Sequence, residues 1–485
     1  MRAAALRRTL AGFTAAAALG ACTVGPDYRI PDDARVRDPL AQKPFQSGGA
    51  RDHTDDALPP RWWRLYDDAR LDGLIGQALA ANTGLRMADA NLERSLAQLR
   101  EIKTLRQPTV PVDGGVAYEQ VAGEQYLLPE RPPVNTDYEA EFTVGYDLDL
   151  FGGIRRGIEA TQAGSDAAAA ARDLVRVNVV AETARAYADA CGFGLELHNL
   201  QRVLEAQRSS LALTQKLKHG GRAIDLDLVQ ARQAIDQTAQ SVPSLQAGQR
   251  NALLRLATLT GRTPAAYDRD LESCTTPPRL TRPLPAGNGT ALLRRRPDVR
   301  QAERQLAAAT ASIGVATAQL YPDISIGLSA GSVGAASDGF TSPTNFWSIG
   351  TQVHWQANQN AARARIAQAQ ASTRLALAGF DGAVLRALQD AESALNVYAH
   401  DLEREQKAGA VRDAYARQLA DQKRLLAGGR GTALSVVQAQ HGLAGAELAL
   451  AQIQTTISGD QVNVFLALGG GWEPDNSCGG CAAAR

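Results

Sequence analysis

Large side chains are scarce in this chain. Among 485 residues there are nine Phe, five Trp, eleven Tyr and two Met, whereas 88 are Ala. A core built on big aromatics is therefore not expected. Alanine is the strongest helix former and the least bulky, so long, closely packed helices are. Net charge is absent too: 51 basic side chains balance 51 acidic ones, which argues against a nucleic-acid-binding face. Past residue 21 no run of about 20 apolar residues occurs, so no transmembrane helix is expected. β-barrel strands carry a far weaker signal and stay open as a possibility. Phosphate-loop, HExxH and dinucleotide motifs are missing. Length alone would suggest about three domains.

The N-terminus reads as an address. Arg2, Arg7 and Arg8 precede an apolar stretch over 9–19, followed by Leu19-Gly20-Ala21-Cys22. Residues 1–21 have the form of a secretory signal peptide, and the end of the segment resembles the bacterial lipobox. Cys22 is then the lipidation site, carrying a covalent diacylglycerol and a fatty acyl chain, with no other cofactor expected. By analogy with lipoprotein sorting, Thr23 rather than Asp after the cysteine favours the outer membrane.

The chain is written twice. Residues 220–231 (GGRAIDLDLVQA) align without gaps on 428–439 (GGRGTALSVVQA), with seven of twelve positions identical. In each half a helical segment ends near a proline, Pro108 or Pro322, and two alternating segments and a very long helical stretch follow. Such internal repetition outweighs the length prior.

The alternating segments are strand signals. Over 138–150, Tyr138, Ala140, Phe142, Val144, Tyr146, Leu148 and Leu150 fall on one face, and Glu139, Glu141, Thr143, Asp147 and Asp149 on the other. Segments 324–329 and 347–355 alternate likewise, while 109–121 is interrupted by Pro111 and Gly114-Gly115. These strands are long enough to cross a bilayer when tilted. Four are too few to close a pore, so oligomerisation is required. The long stretches, from about Arg155 to Leu217 and from about Ala361 to Leu426, contain no proline. Each would make a helix of roughly 95 Å, broken or not at Gly192-Phe193-Gly194. Gly220-Gly221 and Gly428-Gly429 look like the turns where each rod doubles back. Residues 262–291 have the Pro, Thr and Gly content of a linker. Pro297 suits a first helical position, and the preceding Arg294-Arg295-Arg296 run reads as a solvated helix approach.

At this point a resemblance becomes specific. The chain resembles the TolC-like outer-membrane factors of tripartite efflux systems, especially their acylated NodT-type branch. The marks are Cys22-Thr-Val-Gly-Pro-Asp-Tyr28, Trp62-Trp63, Asp147-Leu-Asp-Leu-Phe-Gly152, Leu292–Arg300 and Leu468-Gly-Gly-Gly-Trp472. The resemblance implies a mainly α fold with a small β part, a duplicated helix–strand–strand–long helical hairpin unit. It also implies a homotrimer sharing a 12-stranded outer-membrane β-barrel continued by a 12-helix periplasmic α-barrel. The expected divisions are the signal peptide (1–21), a lipid-anchored segment (22–71), the first repeat (72–261), an equatorial linker (262–291), the second repeat (292–468) and a tail (469–485).

The partners implied are a periplasmic adaptor, an inner-membrane pump and outer-membrane lipid, with no nucleic acid. The tip facing the adaptor would comprise Gly220, Gly221, Arg222, Gly428, Gly429 and Arg430. Leu434 matches the leucine of the family's periplasmic gate, with Leu226 its repeat mate. Gln438, mirrored by Gln230, stands where several relatives carry an aspartate ring, and Leu426 where a tyrosine is usual. Gln356–Ala362 replaces the usual apolar-Phe-Asp-Gly-Gly turn.

Other readings carry less. Gly327-Leu-Ser-Ala-Gly331 matches a nucleophile-elbow pattern, but Ser329 lies inside an alternating strand with no helix directly after it. No enzyme is expected. The six histidines are scattered, with His219 and His441 nearest the tip, and no metal site is assigned. Cys478-Gly-Gly-Cys481 reads as an incidental or disulfide-bonded pair. The favoured function is an outer-membrane duct for small toxic compounds, drugs or metal ions. An export duct for peptides or proteins and a non-conducting coiled-coil scaffold lipoprotein are the alternatives.

Overall fold

Proline-free, alanine-rich sequence runs into helices of unusual length. The computed structural model describes residues 23–472 apart from Gly48, Ala50, Arg51 and Leu128. Its main elements in chain order are α1 (Ala69–Ala81), α2 (Thr83–Thr104), β1 (Val112–Glu119), β2 (Asn135–Asp147), α3 (Gly153–His219), α4 (Asp225–Ala239) and α5 (Ser241–Leu259). There follow α6 (Gly289–Arg295), α7 (Pro297–Ala318), β3 (Asp323–Ala335), β4 (Asn345–His354), α8 (Asn360–Ala427) and α9 (Ala433–Ala467). Helices α3 and α8 have 67 and 68 residues. No described helix is long and apolar enough to cross a membrane. The signal peptide, Cys22 and the Cys478/Cys481 pair lie outside the described residues.

The order helix, strand, strand, helical hairpin occurs twice. The second hairpin returns through the single helix α9, whereas the first returns through α4 and α5, divided at Gln240. Pro243 accounts for the division, because it lacks an N–H and its ring crowds the carbonyl four residues back. The glycines at 192 and 194 do not break α3. They make room instead: a Cβ on Gly192 would lie 2.2 Å from Thr455 Cγ2, and one on Gly194 only 1.9 Å from the Cys274 carbonyl oxygen.

The chain divides into two units. One comprises residues up to 31, 92–168 and 301–380. Its sheet is antiparallel in the order β1-β2-β3-β4. The register pairs Gly115 with Glu139, Glu139 with Val333, and Ser329 with Ser348. At the end of β2, the Asp149 carboxylate accepts from the Ile154 and Arg155 N–H groups at 2.9 and 2.8 Å and so starts α3. The Gln356–Ala362 departure is accommodated differently. Trp355 Nε1 and Gln359 Nε2 both donate to the Leu320 carbonyl, at 3.1 and 3.0 Å, before α8 begins. The segment after Cys22 is fixed here. Val24 N–H donates to the Phe151 carbonyl (3.1 Å), and Arg156 reaches Asp27 (2.8 Å) and the Gly25 carbonyl (3.2 Å).

The second unit comprises residues 32–91, 169–300 and 381 onward. Small residues do line its helix faces: Ala184, Ala186, Ala188 and Ala190 of α3 are wholly buried. Most of that core is Ala, Leu, Val and Ile, among them Leu71, Ile75, Leu253 and Leu395, and Trp62, Trp63, Tyr187, Tyr398 and Phe465 are buried with them. Aromatics are few but concentrated. The solvated reading of the arginine run is corrected at one position, since Arg294 is exposed and Arg296 is not. Arg296 is buried, donates to the Ala467 carbonyl at the end of α9 (2.8 Å), and forks onto Asp298 (2.9 and 2.7 Å). A cation at a helix C-terminus compensates the helix dipole.

Candidate functional site: the hairpin turns and the strand wall

Both long helices end in the same way. Gly221 and Gly429, repeat mates, have φ of +68° and +73°. Arg222 N–H reaches back to the Leu217 carbonyl (2.8 Å) and Arg430 N–H to that of Leu425 (2.9 Å). Gly221 and Gly429 N–H groups bond the Lys218 and Leu426 carbonyls (2.9 and 3.1 Å). This is the Schellman closure, which satisfies orphan carbonyls and requires a left-handed residue that glycine supplies without strain. The side chains of Arg222 and Arg430 remain exposed at the two turns.

The helices that follow start with complementary halves of one motif. Asp227 accepts from the Ile224 N–H (3.0 Å) ahead of α4, and Thr432 Oγ1 accepts from the Ser435 N–H (3.1 Å) ahead of α9. Each satisfies one donor of a helix start that would otherwise be unpaired. Lys218 pairs with Asp225 across the first turn.

Leu226 and Gln230 lie four residues apart on α4, and Leu434 and Gln438 do so on α9, so each pair shares a helix face. Burial distinguishes the mates. Leu226 is 55% exposed beside exposed Ile224 and Val229, whereas Leu434 is half-buried. Gln438 is exposed; Gln230 is half-buried, its Oε1 without a hydrogen-bond partner. Between the hairpins lies a cleft of about 580 Å³. Leu213, Leu217, Leu426 and Val436 give it apolar walls, and Arg222 and Lys423 line it with charge.

In the other unit, the register sorts side chains onto two faces. Val112, Val116, Phe142, Tyr146, Trp347 and Ile349 share one face and are all exposed. The opposite face holds Asp113, Asp137, Glu139, Glu141, Asp147 and Asp323, with Val333 and Phe346 interrupting it. None of the four strands contains Lys or Arg. At one end of the sheet, Tyr138 OH bonds Ser332 Oγ (2.6 Å) and Thr344 Oγ1 (3.0 Å) and accepts from Phe340 N–H (2.7 Å). Ser329 meets Ser348 Oγ at 2.9 Å across the strands, in a setting without the sharp strand–turn–helix that a nucleophile elbow needs. Among the described residues no cluster of metal-ligating side chains occurs, and His219 Nδ1 bonds the Gln215 carbonyl of its own helix (2.8 Å).

The sequence profile of the outer membrane efflux protein family matches residues 74–262 and 289–470. The chain belongs to this family. It is similar to the solvent efflux pump outer membrane protein SrpC of Pseudomonas putida, 30% identical over 474 residues, 94% of this chain and 96% of that one. It is also similar to nodulation protein T of Rhizobium leguminosarum bv. trifolii, 27% identical over 379 residues, 78% of this chain and 79% of the relative. The solved outer-membrane channel OprN is 33% identical and superposes with a TM-score of 0.86, covering 93% of this chain and all of OprN. The protein is thus an outer-membrane factor of NodT type, with the TolC-like channel fold. As an outer membrane efflux protein it works in the outer membrane with a periplasmic part, and its relatives are efflux channels rather than enzymes.

Sequence reasoning missed one linkage altogether. Cys191 of α3 and Cys274 form a disulfide, Cα atoms 4.7 Å apart and 83 positions apart in sequence. The one available signal was an exported chain with two cysteines outside its ends, which favours pairing without naming it.

Proposed function

We propose that three copies assemble into a continuous duct that passes small toxic compounds from an inner-membrane pump, through a periplasmic adaptor, to the outside. The observation that carries this is the four-stranded sheet: an exposed apolar face, an acidic opposite face, and outer edges on β1 and β4 that no strand among the described residues pairs. Open edges are not tolerated in lipid, where every backbone polar group must be satisfied. Pairing β1 of one copy with β4 of the next removes them. Three copies of four strands give the twelve-stranded barrel implied by the resemblance, apolar face to lipid and acidic face to water. A non-conducting scaffold has no use for such a sheet.

In this reading the hairpins form the periplasmic end of the duct. Leu226, Gln230, Leu434 and Gln438 line its resting constriction. Gly220, Gly221, Arg222, Gly428, Gly429 and Arg430 present the turns to the adaptor, and the apolar cleft with Arg222 and Lys423 receives it. A diacylglycerol and fatty acyl chain on Cys22 would begin beside the sheet-to-helix junction, because Val24 and Gly25 are held there. Efflux of small compounds is favoured by similarity to efflux-pump components, among them a toluene efflux pump outer membrane protein of Pseudomonas putida.

The test is conductance of the purified, detergent-extracted protein in planar bilayers, with native mass spectrometry on the same sample. A trimer with discrete channel events is expected. A monomer, or no pore at any voltage, would overturn the duct.

A further inference from the structure

The segment between the repeats has a linker's composition but not a linker's contacts. Its residues 272–280 touch four helices at one level of the second unit. Cys274 is bonded covalently to Cys191 of α3, and only a glycine at 194 lets the coil backbone lie so close. The buried Gln249 of α5 donates to the Glu272 carbonyl (3.1 Å).

On the other side, the wholly buried Gln461 of α9 accepts from Leu280 N–H and donates to Leu280 C=O, both at 3.0 Å, as a neighbouring strand would. Ser458 of α9 donates to the Pro278 carbonyl (2.5 Å). Arg279 forks onto Glu405 of α8, with Nη2 to Oε2 at 2.6 Å. Buried polar groups such as Gln461 are costly when left unpaired, so these bonds hold the coil to the helices firmly.

Towards the turns the large core gives way to smaller contacts. Beyond the strap level come a cluster around Leu197, Leu200 and Leu245, buried small and aliphatic residues such as Val203, Ala231, Val436 and Ala439, and two clefts, of about 580 and 150 Å³, between the hairpins. From Cys191 to the end of α3 at His219 the helix runs on for roughly 40 Å. A tilt of about 10° at the strap would therefore move the turn by about 7 Å.

We propose that the coil 272–280 is the fulcrum about which the hairpin α3–α4 and the hairpin α8–α9 splay to open the periplasmic end, and that the Cys191–Cys274 bond sets its stiffness. This rests on the duct reading above. The strap ties the helices at the main core and leaves long levers, with clefts between them, beyond it. Loosening it lowers the resistance to splaying without altering the pore itself.

The experiment is single-channel recording of the full-length trimer with and without dithiothreitol. Three forms are compared: wild type, Cys191→Ser with Cys274→Ser, and Arg279→Gln. The disulfide state is read by thiol labelling. Expected is an unchanged open-state conductance with spontaneous opening at least about threefold more frequent in both variants. Dithiothreitol should reproduce the effect in wild type and do nothing further to the double serine variant. If that variant does not assemble, reduction of assembled wild type and Arg279→Gln read the same quantity on folded protein. A conducting wild type whose opening frequency is unmoved by verified reduction and by Arg279→Gln overturns the fulcrum and leaves the duct standing. A wild type with no pore overturns the duct and the fulcrum with it.

Discussion

The Trp62 indole stacks on the Phe465 ring, centroids 4.5 Å apart and planes 24° from parallel. It joins a short turn near the start of the described chain to the last helix of the second repeat. Both rings are wholly buried. Phe465→Ala should therefore destabilise the protein by about 3–5 kcal/mol, and Phe465→Leu clearly less. Denaturant unfolding followed by tryptophan fluorescence measures the difference. A loss below about 1 kcal/mol for the alanine variant would mean that the core relaxes around the cavity.

Leu434 and Leu226 are repeat mates with different burial, so they should not be interchangeable. With Leu434 half-buried on α9 and Leu226 exposed, Leu434→Ala is expected to raise resting conductance and the influx of a large antibiotic several-fold. Unchanged influx and unchanged conductance would remove Leu434 from the gate.

Charge selection should come from the strands. The helix positions at 230 and 438 are glutamines, neutral at any working pH, while one face of the sheet holds Asp137, Glu139, Glu141 and Asp147 without a basic residue. In a salt gradient the pore is expected to prefer potassium over chloride. Glu139→Gln with Glu141→Gln should shift the reversal potential towards zero. An anion-selective wild type would place the acidic face away from the water path.

Asp460 of α9 supplies a pH dependence. Burial, and next the Asp401 carboxyl beside it, push its carboxyl up to about 6, offset only in part by Arg185 and Arg404. Its Oδ2 finds no hydrogen-bond partner. An unfolded aspartate titrates near 4, so between about pH 4 and 6 the folded protein holds a proton that the unfolded chain has lost. Stability from this group is present at low pH, falls as pH rises through that window and stays lower above it. Asp460→Asn should raise the melting temperature by roughly 2 °C at pH 7.5, with the gain vanishing below about pH 4. A variant less stable than wild type at pH 7.5 would contradict this.

The long helices were legible because proline is absent over their whole length. Ends expected near 155 and 217 fall at 153 and 219, and the glycine pairs mark both turns. The alternation of 138–150 gave the faces of β2, although the strand runs over 135–147 because Leu148–Gly152 turns to start α3. Long-range pairings were not legible. Nothing in local composition joins Cys191 to Cys274, Trp62 to Phe465 or Gln461 to Leu280. Pro, Thr and Gly over 262–291 signal a lack of regular structure, which is a different property from a lack of contacts. Glycines at 192 and 194 likewise signal either a break or a close approach, and only the neighbours decide which.

The residues just after Cys22 are held by groups from both repeats. Arg156 and Phe151 belong to the first; Glu303, which accepts from Tyr28 OH at 3.2 Å, and Gly314, against which Gly25 lies, belong to the second. A chain exported N-terminus first therefore cannot complete this junction until Glu303 and Gly314, 275 and 289 positions beyond Tyr28 and Gly25, have followed. An early segment of the chain is then among the last to find its place, and its docking reports that both halves of the molecule are present.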